Sequence, residues 1–259
     1  MNCVITMRFF TEFSESREQG FYQQPAFTVE RGDSKHPVIL VCEHASAHIP
    51  EQLGSLGLSE EASQEHIAWD IGALALAKEL SDNLGATLIA ANYSRLLIDL
   101  NRPLEAPDSI PKRSEIYEIP GNQDLDEITR KYRIETLFAP FHQRLSELIN
   151  ARLANEQTVR VIGVHSFTPL YFGKPRSLEV GVLYAHAQDY AGRMLEGLAS
   201  RGVKSAANQP YEINNLEDMT VPVHGDNRGI DAVLIEVRND LLRTSDAVRA
   251  WSEVLAPLL

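Results

Sequence analysis

Polar side chains that could bind a metal or move a proton stand where apolar, strand-forming runs end: His44 after VILVCE, Asp99 to Arg102 within LLIDLNR, His165 within VRVIGVH, and Glu236 within VLIEVRND. Any one could be structural. A strand-end histidine is usually just hydrogen-bonded, and a glutamate beside Arg238 could be a simple ion pair. A carboxylate buried in an apolar strand is costly, however, and is normally paired, set beside a metal or kept for chemistry. Two histidines on separate strands suit a catalytic zinc, which takes three His or carboxylate ligands and leaves a position open. Asp70 in HIAWDIGA offers the third ligand, with His66 four residues earlier and Glu43 beside His44 as alternatives. Arg176 in GKPRSLEVG and His224 in VPVHGDNRG occupy Gly- and Pro-containing loops, where such residues bind substrates or simply meet solvent.

Periodicity supplies the elements that must hold these residues. VILVCEH, ATLIAANYS, RLLIDLNR, VRVIGVH, LEVGVLYA and DAVLIEVRND read as strands, most of them apolar enough to be buried on both faces. SEEASQEHIAWDIGALALAKELSDNLG reads as a helix capped by Ser59 and Gly85. A long amphipathic helix follows from Asp124, which has capping-box spacing to Glu127, and Pro140 should kink it. AQDYAGRMLEGLASRG and the segment from about Thr244 complete the helices. Alternating strands and helices predict one three-layer α/β/α domain over residues 36–259 with a mostly parallel mixed sheet, preceded by an arm over residues 1–35 packed upon it. In such sheets ligands gather at the carboxyl ends of the strands, where the polar residues lie.

Composition narrows the partners. The chain has 259 residues, with 24 Lys+Arg against 36 Asp+Glu for a net charge of −12. That balance argues against nucleic acid or an anionic membrane as partner, while leaving room for a small anionic substrate held by local arginines, and it is compatible with a homo-oligomer. The cysteines are Cys3 and Cys42, too few for a disulfide framework or a Cys-ligated zinc. No apolar run approaches the roughly 20 residues of a membrane span, the N-terminus lacks a signal-peptide pattern, and a cytoplasmic location is expected. Cys42 as a nucleophile is disfavoured by Glu43 beside it, and Ser166 lacks the glycines of a nucleophile elbow.

Taken in order, VILVCEHASAHIP, HIAWDIGA, YSRLLIDLNRP, GVHSFTP and VLIEVRNDL resemble the N-formylglutamate amidohydrolase family, from about Pro37 to the C-terminus. GVHSFTP and VLIEVRND also look like strands of zinc carboxypeptidases, and IDLNRP is similar to a signature of the aspartoacylase branch. The resemblance implies a zinc-carboxypeptidase-like fold and one zinc ion per chain held by His44 and His165, with Glu236 as general base. It implies Asn101 and Arg102 as binders of a substrate carboxylate, and Arg95 as an electrophilic or carboxylate-binding arginine. The expected reaction is hydrolysis of a linear amide, N-formyl-L-glutamate to formate and glutamate, the alternative being another N-acyl amino acid or small peptide amide. One departure is Ala47, which stands where the carboxypeptidase pattern has a glutamate ligand. It makes Asp70 important, and it leaves a non-catalytic small-molecule binder as the competing reading.

Overall fold

The computed structural model describes residues 15–214 and 216–259. The first part of the expected arm, with Cys3, lies outside the described residues. Seven strands form the central sheet: β1 (Phe27–Glu30), β2 (Val38–Cys42), β3 (Thr87–Ala91), β4 (Arg160–Phe167), β5 (Val180–Leu183), β6 (Ser205–Ala207) and β7 (Asp231–Arg238). Their order across the sheet is β1-β3-β2-β4-β7-β5-β6. The block from β3 to β7 is parallel, β5 runs antiparallel to β7, and β1 closes the other edge antiparallel to β3.

Every residue of β2 and β3 is buried, as their unbroken apolar sequence requires of strands covered on both faces. On one face α3 (Ala139–Leu153) packs Phe141, Leu145 and Ile149 against Ile39, Val161 and Ala232. On the other, α1 (Ala73–Leu84), α4 (Gln188–Ser200) and α5 (Ser245–Leu255) pack Leu76, Leu80, Met194 and Leu255 against Leu40, Ile162 and Val233. The three-layer α/β expectation therefore holds. Thr244 caps α5 by accepting a hydrogen bond from the Ala247 amide. The short strands β1 and β6 were not expected from sequence, because four- and three-residue edge strands carry too little periodicity to stand out.

Three local expectations fail, the first two for a tertiary reason. RLLIDLNR is not a strand. Leu96, Leu97 and Ile98 are buried, but their backbone is satisfied from outside any sheet ladder: Asn122 donates to the Leu96 carbonyl and Arg133 to that of Leu97, each at 2.8 Å. The helix expected from Ser59 begins only at Ala73. Gly72 sits at φ 84°, and a Cβ there would lie 2.5 Å from Leu242, so the chain must turn sharply at this point. Asp126, not Asp124, caps the following helix, α2 (Glu127–Arg133), by accepting from the Thr129 amide at 2.7 Å. The kink expected at Pro140 appears as a π-helical turn, Ile134–Phe138, with the proline in the first turn of α3.

Candidate metal centre and active site

His44 follows β2, His165 lies on β4 and Glu236 on β7, so three neighbouring parallel strands deliver them to one edge of the sheet. In the β4–β7 register Glu236 is paired directly with His165. Asp70 reaches the same place because the chain turns before α1: its amide donates to the His44 carbonyl at 2.9 Å, and its Oδ2 accepts from the Ser166 amide at 3.2 Å. His44, Asp70 and His165 are all buried, and one ligand atom from each lies within 4.8 Å of the others.

Each histidine is held at its far nitrogen by a buried carboxylate. His44 Nε2 is 2.7 Å from Asp99 Oδ1, and His165 Nε2 is 3.0 Å from Glu43 Oε2. Both carboxylates are themselves anchored: Arg95 donates to Asp99 Oδ2 at 2.5 Å and the Asn101 amide to Oδ1 at 2.9 Å, while Thr220 donates to Glu43. Burial alone would raise the Glu43 carboxyl, but the charge and hydrogen bond of His165 outweigh it and hold the group down to about 2. Asp99 is held well below the usual range, because Arg95 and His44 overcome its burial. Two ionised acceptors thus place a proton on Nε2 of each ring and leave both Nδ1 atoms towards Asp70. His165 Nδ1 is 2.8 Å from Asp70 Oδ2, whereas His44 Nδ1, 3.4 Å away, has no hydrogen-bond partner among the described residues although it is buried. Two imidazole nitrogens and a carboxylate with ordered outer partners fit a catalytic zinc site. An orphaned buried nitrogen at its centre is what a missing ligand bond would leave.

Glu236 is buried, and its Oε2 has no partner among the described residues. Burial pushes its carboxyl up to about 7, against the opposing pull of His165. A carboxyl near neutrality can both take and return a proton at physiological pH.

A cavity of about 940 Å³ opens over this cluster. Arg95 lines it with a quarter of its side chain exposed, oriented by Asp99 and by Asp70 at 3.6 Å. Asn101 and Arg102 line it too, but both are engaged with the protein. Asn101 Oδ1 accepts from the amides of Met219 and Thr220, and Arg102 donates to Asp108, to Asp218 and to the Glu217 carbonyl. Less of the Arg102 fork is left for a substrate carboxylate than its sequence suggests.

Four other sequence candidates go elsewhere. His66 lines the cavity but faces Glu115 at 2.8 Å, not the histidine cluster, and it lies on no helix. Glu43 grips the back of His165 and does not join the ligand cluster. His224 is not part of the cavity lining. It is buried against His142, with 2.9 Å between His142 Nδ1 and His224 Nε2. Arg176 stands behind the lining, among the rings of Phe167, Tyr171 and Tyr211.

Sequence reasoning tracked Asp99 as a polar strand end without giving it a role, and it missed Tyr211 and Thr220 altogether. The Asp99–Arg95 spacing was the one available signal. Glu43, which accepts from the Thr220 hydroxyl, lies 177 residues away in sequence.

A family model for N-formylglutamate amidohydrolases matches residues 36–243. The chain belongs to this family. Among solved structures, this family member is similar to gene product Atu2144 from Agrobacterium tumefaciens, with 43% identity, a TM-score of 0.88, and coverage of 91% of this chain and 93% of that one. It also shares its fold with the N-formylglutamate amidohydrolase from Ralstonia eutropha JMP134, with 17% identity, a TM-score of 0.62, and coverage of 91% and 96%. No curated protein matches the chain. No helix among the described residues of this amidohydrolase-family protein is long and apolar enough to cross a membrane.

Proposed function

We propose that the chain is a zinc-dependent amidohydrolase that cleaves the linear amide of a small N-acyl amino acid in the cytoplasm, N-formyl-L-glutamate being the compound to test first. The observation that supports this most is the meeting of an orphaned ligand nitrogen, a second histidine and Asp70 with a buried, unpartnered Glu236 at the floor of one cavity. In this reading His44, Asp70 and His165 would hold one divalent ion. Such an ion supplies Lewis acidity towards water and an amide carbonyl.

The chain's own residues do the rest. Glu236 accepts the proton of the attacking water and later delivers it to the departing amine nitrogen. Arg95, held at one side by Asp99, turns its remaining N–H groups to a substrate oxygen, where a planar guanidinium can meet a carboxylate with two hydrogen bonds. Asn101 and Arg102 brace the segment 217–220 and, through Thr220, the Glu43 that fixes His165.

The experiment is formate release from N-formyl-L-glutamate, and amine release from other N-acyl amino acids, by zinc-loaded and chelator-treated protein. The proposal expects one zinc per chain and hydrolysis that is lost with the metal and restored by it. Bound zinc with no hydrolysis across the panel would leave a binding protein in its place.

A further inference from the structure

The cavity is larger than the reaction proposed for it needs. At about 940 Å³ it sits near the top of the roughly 300–1,000 Å³ range of pockets that enclose drug-sized ligands, and a formylated amino acid is far smaller. One of its walls is aromatic: Tyr171 and Tyr211 line it, from a short hairpin after β4 and from the loop after β6.

These two rings are built in place. Arg176 lies across both, its guanidinium carbon 4.3 Å from the Tyr171 centroid and 5.1 Å from that of Tyr211, and its Nη1 donates to the Tyr211 hydroxyl at 3.1 Å. Arg176 is fixed in turn, because Arg238 donates to its carbonyl at 3.1 Å. The Tyr211 loop lies tight on the sheet at Gly181, where any Cβ would be 1.9 Å from the Gln209 carbonyl oxygen. Phe172 packs edge-on against Tyr171 with centroids 4.7 Å apart, and its amide donates to Glu115 of the facing hairpin at 3.0 Å. Tyr211 nevertheless remains 40% exposed and Phe172 55%. Rigid, exposed aromatic rings at the mouth of a cavity offer apolar contact at little cost in side-chain entropy.

We propose that Tyr171 and Tyr211, cross-braced by Arg176, form a subsite for an apolar group of the amide substrate, a ring or a long alkyl chain on either side of the amide, so that amides bulkier and more apolar than N-formyl-L-glutamate are preferred. This rests on the amidohydrolase reading above and names the substrate class of the same site. Arg176 is then a positioning residue: its fork serves the wall, not a substrate carboxylate.

Two substrate series test it with the zinc-loaded full chain. One enlarges the acyl group on L-glutamate through formyl, acetyl, hexanoyl and phenylacetyl; the other enlarges the side chain of N-formyl amino acids from alanine through leucine to phenylalanine. We expect kcat/KM to rise roughly tenfold or more along one series, and the series that responds identifies the side of the amide that enters the subsite. Tyr171→Leu and Tyr211→Leu should bring the ratio of large to small substrate back towards one, with zinc content unchanged. Arg176→Met should lower the same ratio through KM. A flat or falling profile in both series overturns the proposal, and so does a preference that survives both tyrosine variants. If nothing in either series is cleaved, the hydrolase reading fails and calorimetric binding decides the subsite. Tenfold tighter binding of N-phenylacetyl- than of N-formyl-L-glutamate supports it, and equal or undetectable binding overturns it.

Discussion

Replacing Glu236 by Gln should stabilise the metal-free protein while it removes turnover. Burial raises the Glu236 carboxyl from 4.5 to about 7. Between those values the folded chain keeps a proton that the unfolded chain has released, so stability falls as pH rises through the window. Below about pH 4.5 both states are protonated and the penalty is absent; above about pH 7 it is complete. At 1.36 kcal/mol per pH unit the gap amounts to about 3 kcal/mol, an appreciable part of the stability of a typical domain. Glutamine has nearly the same shape and never ionises. The stability gained by Glu236→Gln should therefore grow from near zero at about pH 4 to about 3 kcal/mol at about pH 8. Urea unfolding of chelator-treated parent and variant at the two pH values measures this. Turnover by the zinc-loaded variant should fall ~10²–10⁴-fold, the usual contribution of a positioned acid–base group. A variant that is less stable than the parent at the higher pH, yet turns over normally per folded molecule, would make Glu236 a structural ion-pair partner and refute the reasoning.

Asp99→Asn and Glu43→Gln should each weaken zinc binding roughly 10- to 100-fold, because each loosens a histidine from behind; chelator competition reads this, and unchanged affinity would remove that role. Asp70→Ala should lose most of the zinc, and full occupancy in that variant would mean the third ligand lies elsewhere. Arg133, fully buried and bonded twice to the buried Glu18, should cost ~3–5 kcal/mol when changed to Met, since the carboxylate then loses its cation in the interior and keeps the Tyr22 hydroxyl as donor. Thermal unfolding checks it, and a loss below about 1 kcal/mol would contradict it. Burial holds His142 down to about 4 and His224 to about 3, so the unfolded chain gains protons first and stability should fall as pH drops from 6.5 towards 4. A His142→Asn variant with the same acid slope as the parent would overturn that assignment.

The layers of the fold and most of the polar residues at the cavity floor were legible in the sequence. Long apolar runs such as VILVC and DAVLIEV can be satisfied only by strands covered on both faces, and the rule that ligands collect at their carboxyl ends singled out His44, His165 and Glu236. The sequence points to Asp70 as the third ligand and keeps Glu43 and His66 as alternatives, since all three lie close to an expected strand end or helix start. The choice came from a turn. Gly72 packs against Leu242, far along the chain, and the bond from the Asp70 amide to the His44 carbonyl then sets the carboxylate between two imidazoles. Asp99, Glu43, Arg102 and Arg176 likewise meet partners distant in sequence: His44, His165, Asp218 and Tyr211. Periodicity records which face of an element is apolar, because burial acts on each residue in its own element. Which polar atom meets which depends on contacts between elements, and those exist only once the chain has folded.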